Sequence, residues 1–216
     1  MLETVAFELM VAVGTIAFAI SGSFKAIRHE LDLLGVLVLG FVTALGGGLL
    51  RDALLHTTPA AFLDLGPATY ALIGCLIAIL FNAAFRNRPG WAGIAVPEGR
   101  LFLAFDAVGL AAFTVLGARL AAVAGLNAFG VVLLAAITGV GGGVLRDVLV
   151  LEVPLVLKAD FYATATIIGG VLFAFLYWIG LPISANIILT FVVTLALRLL
   201  AVWMHWQLPR IKQEEK

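Results

Sequence analysis

Two short stretches carry most of the charge that could do chemistry in an otherwise apolar chain. They are Gly46-Gly47-Gly48-Leu49-Leu50-Arg51-Asp52 and Gly141-Gly142-Gly143-Val144-Leu145-Arg146-Asp147. Each sits inside an apolar run long enough to cross a bilayer. An ionisable side chain at the centre of a membrane helix costs about 2.5–3.5 kcal/mol on insertion scales, so it faces a bundle interior or a wet path. Arg51, Asp52, Arg146 and Asp147 are therefore candidates for a pore or gate, with a structural salt bridge as the plainer role. Adjacent residues on a helix point about 100° apart, so Arg51 is not expected to neutralise Asp52, nor Arg146 to neutralise Asp147. Each arginine is expected to find carbonyls freed at the opposite glycine stretch, or a nearby acid such as Asp106.

The glycines invite a second reading. Each costs a helix about 0.8–1.0 kcal/mol relative to alanine, so three in succession predict a bend or break. Irregular backbone at membrane depth survives only where protein or a water-filled cavity satisfies it. Close packing of small residues is the alternative. Two triplets at matching places favour functional kinks at Gly46, Gly47, Gly48, Gly141, Gly142 and Gly143.

Other candidates are weaker. Asp106 lies about one turn into the fourth apolar run. Ser21, Thr43 and Thr138 could line a polar path, although hydroxyls in such helices usually bond their own backbone. His29, His56 and His205 lie at run ends without metal-ligand spacing. The triplets follow helical runs and lack the Gly-Lys-Ser/Thr of a phosphate loop. No nucleophile–base set points to an enzyme, and no metal site is expected.

The elements that must position these residues are plain from composition. Of 216 residues, 63% are hydrophobic and 12% charged, and mean hydropathy is +1.15. Soluble domains run near 45–50% apolar and about 25% charged. A soluble enzyme, a nucleic-acid binder and a disordered scaffold are excluded. The apolar runs are 5–24, 33–55, 67–85, 101–120, 129–151, 161–180 and 184–203, each close to the length of a spanning helix. The lone Cys75 is a packing residue. Trp91, Trp178, Trp203 and Trp206 suit interfacial belts.

The chain also repeats itself at an offset of 95. The motif recurs, Ala12-Val13-Gly14 returns as Ala107-Val108-Gly109, Ala17-Phe18 as Ala112-Phe113, and Pro59 as Pro154. Each copy holds three spans, an odd number, so the second copy enters the membrane inverted. The expected fold is all-α and integral to the membrane, with seven transmembrane helices arranged as two inverted three-helix repeats plus a seventh helix. The divisions are 1–85 (first repeat), 86–100 (connecting loop), 101–180 (second repeat), 181–206 (seventh helix) and 207–216 (cytoplasmic tail). Seven spans put Lys25, Arg28, Arg86, Arg88, Arg100, Lys158, Arg210, Lys212 and Lys216 on one side and only Arg119 on the other. The positive-inside rule then places the N-terminus outside and the C-terminus in the cytoplasm.

The doubled Gly-Gly-Gly-x-x-Arg-Asp, each followed seven residues later by Pro59 or Pro154, resembles the prokaryotic trimeric intracellular cation (TRIC) channel family. That family overlaps glycine-transporter-domain and uncharacterised membrane protein sequences. The resemblance covers all seven spans. It implies a homotrimer with a pore in each subunit, K⁺-permeable conduction with Na⁺ less favoured, kinks at the triplets, and a prokaryotic plasma membrane. No cofactor is implied. The expected companions are permeant K⁺, membrane lipids and bound lipid, with no nucleic acid. One departure stands out: the family carries an acid near the start of both first helices, and here Asp106 is kept while its counterpart is Val11. Glu8, one turn earlier, is the candidate substitute. The leading function is a passive cation channel gated by helices two and five. The rivals are a carrier for glycine or another small zwitterion, and a membrane scaffold without flux.

Overall fold

The computed structural model describes residues 2–85, 99–158, 161–204 and 206. The connecting segment with Arg86, Arg88 and Trp91, together with His205 and the tail bearing Arg210, Lys212 and Lys216, lies outside the described residues.

Nine helices form among the described residues: α1 (Leu2–Arg28), α2 (Leu33–Leu54), α3 (Ala60–Leu63), α4 (Gly66–Phe85), α5 (Arg100–Val123), α6 (Ala128–Leu149), α7 (Leu155–Lys158), α8 (Tyr162–Trp178) and α9 (Ile183–Trp203). Six are long and apolar enough to cross a membrane, and α8 is a shorter apolar helix. The expectation of a twenty-residue sixth span is thus corrected to 17 residues. Phe161 starts α8 from a left-handed φ of 62°, and Gly180 (φ 77°) lies just beyond its other end. The first run is corrected in the opposite direction. α1 continues through Lys25 to Arg28, where the sequence placed a loop, and Lys25 is 1% exposed.

Local signals recur at the 95-residue offset. Asp32 caps α2 by accepting the Gly35 N–H at 2.7 Å, and Asn127 caps α6 by accepting the Gly130 N–H at 2.9 Å. A short polar side chain before the first turn satisfies one of the orphan donors there. α1 ends on Glu30 at φ 55°, and α5 ends on its counterpart Gly125 at φ 75°.

α5 is the most enclosed span, with 72% of its apolar window buried against 22% for α4. The two copies meet through equivalent residues. Phe18 of α1 stacks on Phe113 of α5 with ring centroids 5.2 Å apart. A methyl on Gly14 would meet Ala112 and Phe113, and one on Gly109 would meet Phe18, so α1 and α5 cross antiparallel at these glycines.

α2 and α6 do the same at the triplets. A methyl on Gly47 would strike the Thr138 carbonyl, and one on Gly142 the Thr43 carbonyl. Gly46 faces Leu145, and Gly141 faces Leu50. Contact partners descend along α6 as they ascend along α2, which makes this crossing antiparallel. Both helices remain helical through their triplets. Neither helix breaks at its triplet, and the glycines let two backbones approach closely, so packing compensates their poor helix propensity.

Candidate functional site

The second copy gathers a buried charge network. α6 contributes Arg146 and Asp147, α5 contributes Asp106, and α1 contributes Ser21 and Lys25; none is more than 1% exposed. The Arg146 guanidinium donates from Nη1 to Asp106 Oδ1 at 2.7 Å and to Ser21 Oγ at 2.6 Å. Its Nε donates to Asp147 Oδ1 at 2.9 Å, and its plane lies 4.8 Å from the Phe102 ring centroid. Lys25 Nζ donates to Asp147 Oδ1 and to Glu152 Oε2, both at 3.0 Å. His29 Nε2 meets Glu152 Oε1 at 2.8 Å. The result is a chain of alternating charge, Asp106–Arg146–Asp147–Lys25–Glu152, that runs from the buried core to a partly exposed end hydrogen-bonded to His29. Burial of these charges is tolerated because each is paired and hydrogen-bonded.

Two sequence expectations are corrected here. Arg51 Nε donates to Asp52 Oδ1 at 2.7 Å, so both arginines do bind the adjacent aspartate. Short side chains on adjacent helical residues do diverge by about 100°, but the arginine stem is long enough to fold its Nε back alongside its neighbour. Arg146 reaches Asp106, the acid expected to meet an arginine, and neither arginine bonds a backbone carbonyl freed at the opposite glycine stretch among the described residues.

The aspartates have a shared task. Asp52 Oδ2 accepts the Ala60 N–H at 3.0 Å, and Asp147 Oδ2 accepts the Leu155 N–H at 2.8 Å. Each carboxylate thus holds the first turn of the short helix that follows Pro59 or Pro154. The intervening turns close with the Thr57 N–H on the Asp52 carbonyl and the Glu152 N–H on the Asp147 carbonyl, through left-handed His56 and Leu151. Such 6→1 closures with a left-handed residue are a common helix ending.

Thr43 and Thr138 bond the Leu39 and Leu134 carbonyls, each at 2.6 Å. Sequence reasoning missed Lys25, Glu152, His29 and Tyr162. A signal was present. Lys25 is matched 95 positions away by Leu120, Ser21 by Leu116 and Tyr162 by Pro67, the same polar-to-apolar contrast that singled out Asp106 and Val11. Asp106 Oδ2, Arg146 Nη2 and the Tyr162 hydroxyl are buried without a hydrogen-bond partner among the described residues.

The first copy is different around Arg51. Its neighbours are Phe7, Val11, Leu116 and Leu120, and they enclose a cavity of about 320 Å³ instead of a charge network.

The model of the family described as Glycine transporter matches twice, at residues 8–83 and 103–178, an offset of 95. The UPF0126 inner membrane protein YadS of Escherichia coli K12 is 38% identical over 205 residues, covering 94% of this chain and 95% of that protein. A structure solved to explain conductance through TRIC cation channels superposes with a TM-score of 0.83 at 42% identity, covering 97% of this chain and 99% of its own. The chain belongs to the prokaryotic TRIC family. A prokaryotic TRIC channel crystallised in 0.5 M KCl is similar as well, with a TM-score of 0.81 and 38% identity over 94% and 98% of the two chains. This TRIC-family chain is a membrane-spanning protein and not an enzyme.

Proposed function

We propose that this protein is a K⁺-permeable cation channel, assembled as a homotrimer with one pore per subunit in a prokaryotic plasma membrane. The observation that carries the reading is the 0.83 TM-score at 42% identity to a TRIC cation channel over nearly the whole of both chains. The path follows the α2–α6 crossing, bordered by α1 and α5. The antiparallel crossings at repeat-equivalent glycines support an inverted repeat with its axis in the membrane plane, an arrangement that places permeation paths at the repeat interface. Arg51 and Arg146 each lie four to five residues beyond the crossing on oppositely directed helices. At 1.5 Å per residue that separates them by about 13 Å along the path. They act as two constrictions in series.

The charge network is the closed gate. Lys25 and Asp147 tie α1 to α6, and Glu152 ties the α6–α7 turn to α1. Opening requires these contacts to part and the triplet helices to move at their glycine crossing. Conduction prefers K⁺ modestly over Na⁺, since no dense acidic ring lines the path among the described residues. With Lys25 buried, the remaining loop cations still favour an outside N-terminus and a cytoplasmic C-terminus.

Purified protein in a planar bilayer tests the reading. Picoampere single-channel currents in KCl are expected. Silent bilayers together with glycine accumulation in reconstituted vesicles would establish the carrier that the matched family model's description suggests. Orientation is read separately, in a Cys75→Ser background: labelling of a cysteine at position 88 by an impermeant reagent outside intact cells would reverse it.

A further inference from the structure

The Arg51 cavity is the place where the two copies diverge most. In the second copy, Arg146 Nη1 donates to Asp106 and Ser21. At the equivalent places around Arg51 stand Val11 and Leu116, and Leu120 replaces Lys25. Arg51 is only 7% exposed, yet its one hydrogen bond among the described residues is from Nε to Asp52. The two terminal nitrogens of its guanidinium have no partner there. Arg51 lines a cavity of about 320 Å³ whose walls are otherwise mainly apolar, among them Phe7, Val11, Phe113, Leu116 and Leu120. Exposed Thr57, Thr58 and Leu63 form its rim on the α3 side, so the cavity opens there.

A planar guanidinium with two free terminal nitrogens is matched by an oxyanion, which can accept both N–H groups in parallel. The like charge of Asp52 is already committed, with Oδ1 on Arg51 and Oδ2 on the Ala60 N–H. The rest of the cavity offers carbon surface. At about 30 Å³ per water-sized group it accommodates about ten non-hydrogen atoms, within the size range of small-ligand pockets. The geometry points to a binding site for an amphipathic anion, with a carboxylate or phosphate on Arg51 and a short apolar chain against Val11, Phe113, Leu116 and Leu120. The occupant comes either as a free medium-chain carboxylate or as the headgroup and first carbons of an anionic phospholipid. Occupancy of this site is read without measuring ion flux, so its test can fail while the proposed channel activity stands.

Binding is measured on the full chain in a neutral steroid-based detergent, against protein-free micelles, with octanoate, octanol and dioctanoyl phosphatidic acid as probes. Saturable binding of octanoate, of phosphatidic acid or of both is expected, with octanol much weaker; whichever anion binds tighter identifies the source. Val11→Asp gives Arg51 the internal carboxylate that Arg146 has, and it is expected to weaken anion binding about tenfold or more while octanol changes little. Arg51→Gln is expected to do the same. Val11→Asp retains the arginine and decides the matter if Arg51→Gln fails to fold. No saturable binding of either anion, octanol binding as tightly as octanoate, or undiminished anion binding in folded Val11→Asp overturns the proposal.

Discussion

Replacing Lys25 by leucine, the residue its counterpart position carries, tests whether the charge network is a gate or only a clamp. Lys25 is 1% exposed and makes two contacts of 3.0 Å, to Asp147 and to Glu152. Removing one partner of a buried ion pair costs about 3–5 kcal/mol, because the other charge is left uncompensated. The lower end applies here. Asp147 keeps Arg146 Nε at 2.9 Å and the Leu155 N–H at 2.8 Å. Glu152 keeps His29, and its side chain is 33% exposed, so water replaces part of what it loses. About 3 kcal/mol remains. If the contacts exist only in the closed state, all of that falls on the gating equilibrium. At 1.4 kcal/mol per decade, the open-to-closed ratio rises about a hundredfold. Unitary conductance stays the same, because Arg51 and Arg146 remain in the path. Single-channel recording in symmetrical KCl separates the two quantities, and thermal unfolding in detergent provides the control. An unchanged open-to-closed ratio in a protein destabilised by about 3 kcal/mol would refute the reasoning, since the contacts would then persist in both states.

Gly47→Ala and Gly142→Ala drive a methyl into the Thr138 and Thr43 carbonyls respectively, and backbone yields less readily than a side chain. Each is expected to cost about 1–3 kcal/mol of stability, while Gly125→Ala, which meets nothing within 4 Å, pays only about 1 kcal/mol for its φ of 75°; equal losses in a thermal shift assay would show that the crossing is not tight. The network also has a pH limit. Partial burial alone would raise the Glu152 carboxyl, but hydrogen bonds from Lys25 and His29, with their charges, overcome this and hold it below the ordinary carboxylate value. A depressed carboxyl adds stability that is complete above its unfolded pKa of about 4.3 and lost as pH falls through the lower native value. Acidification below about pH 4 is therefore expected to loosen the α1 contact, and Glu152→Gln to remove that component; parallel wild-type and variant unfolding curves from pH 6 to 3 would count against it.

The fold was legible because a bilayer leaves few choices. Apolar runs near twenty residues set the spans, and the offset of 95 ties Ala17-Phe18 to Ala112-Phe113 and Pro59 to Pro154 from the sequence alone. What was not legible depended on reach and on closeness. Phe24 ended the first apolar run, yet a paired lysine can extend a helix inward, because its stem crosses apolar surface to an acid on another element. The Arg51–Asp52 and Arg146–Asp147 bonds were hidden because helical angles describe where a side chain leaves the backbone and not where its tip arrives. The triplets were read as weak helix because propensity counts one chain at a time. At a crossing, the missing methyl of one helix makes room for the carbonyl of another, so the property that weakens an isolated helix permits the contact.

The two copies of the motif show how one structural device can support two chemistries. In both, the arginine holds the aspartate and the aspartate holds a short helix, so this part is common to the fold and says little about function. The difference lies one layer out, on α1 and α5. Asp106, Ser21 and Lys25 make the second copy a closed network of charge, while Val11, Leu116 and Leu120 leave the first copy with a buried guanidinium facing a cavity. A strictly symmetric channel would carry the same constriction at both ends. Here Arg146 is held by Asp106 and Asp147, while among the described residues Asp52 is the carboxylate that meets Arg51. Under the proposed function, that asymmetry gives gating by internal charge to the second copy and leaves the first as the end that an outside anion can fill.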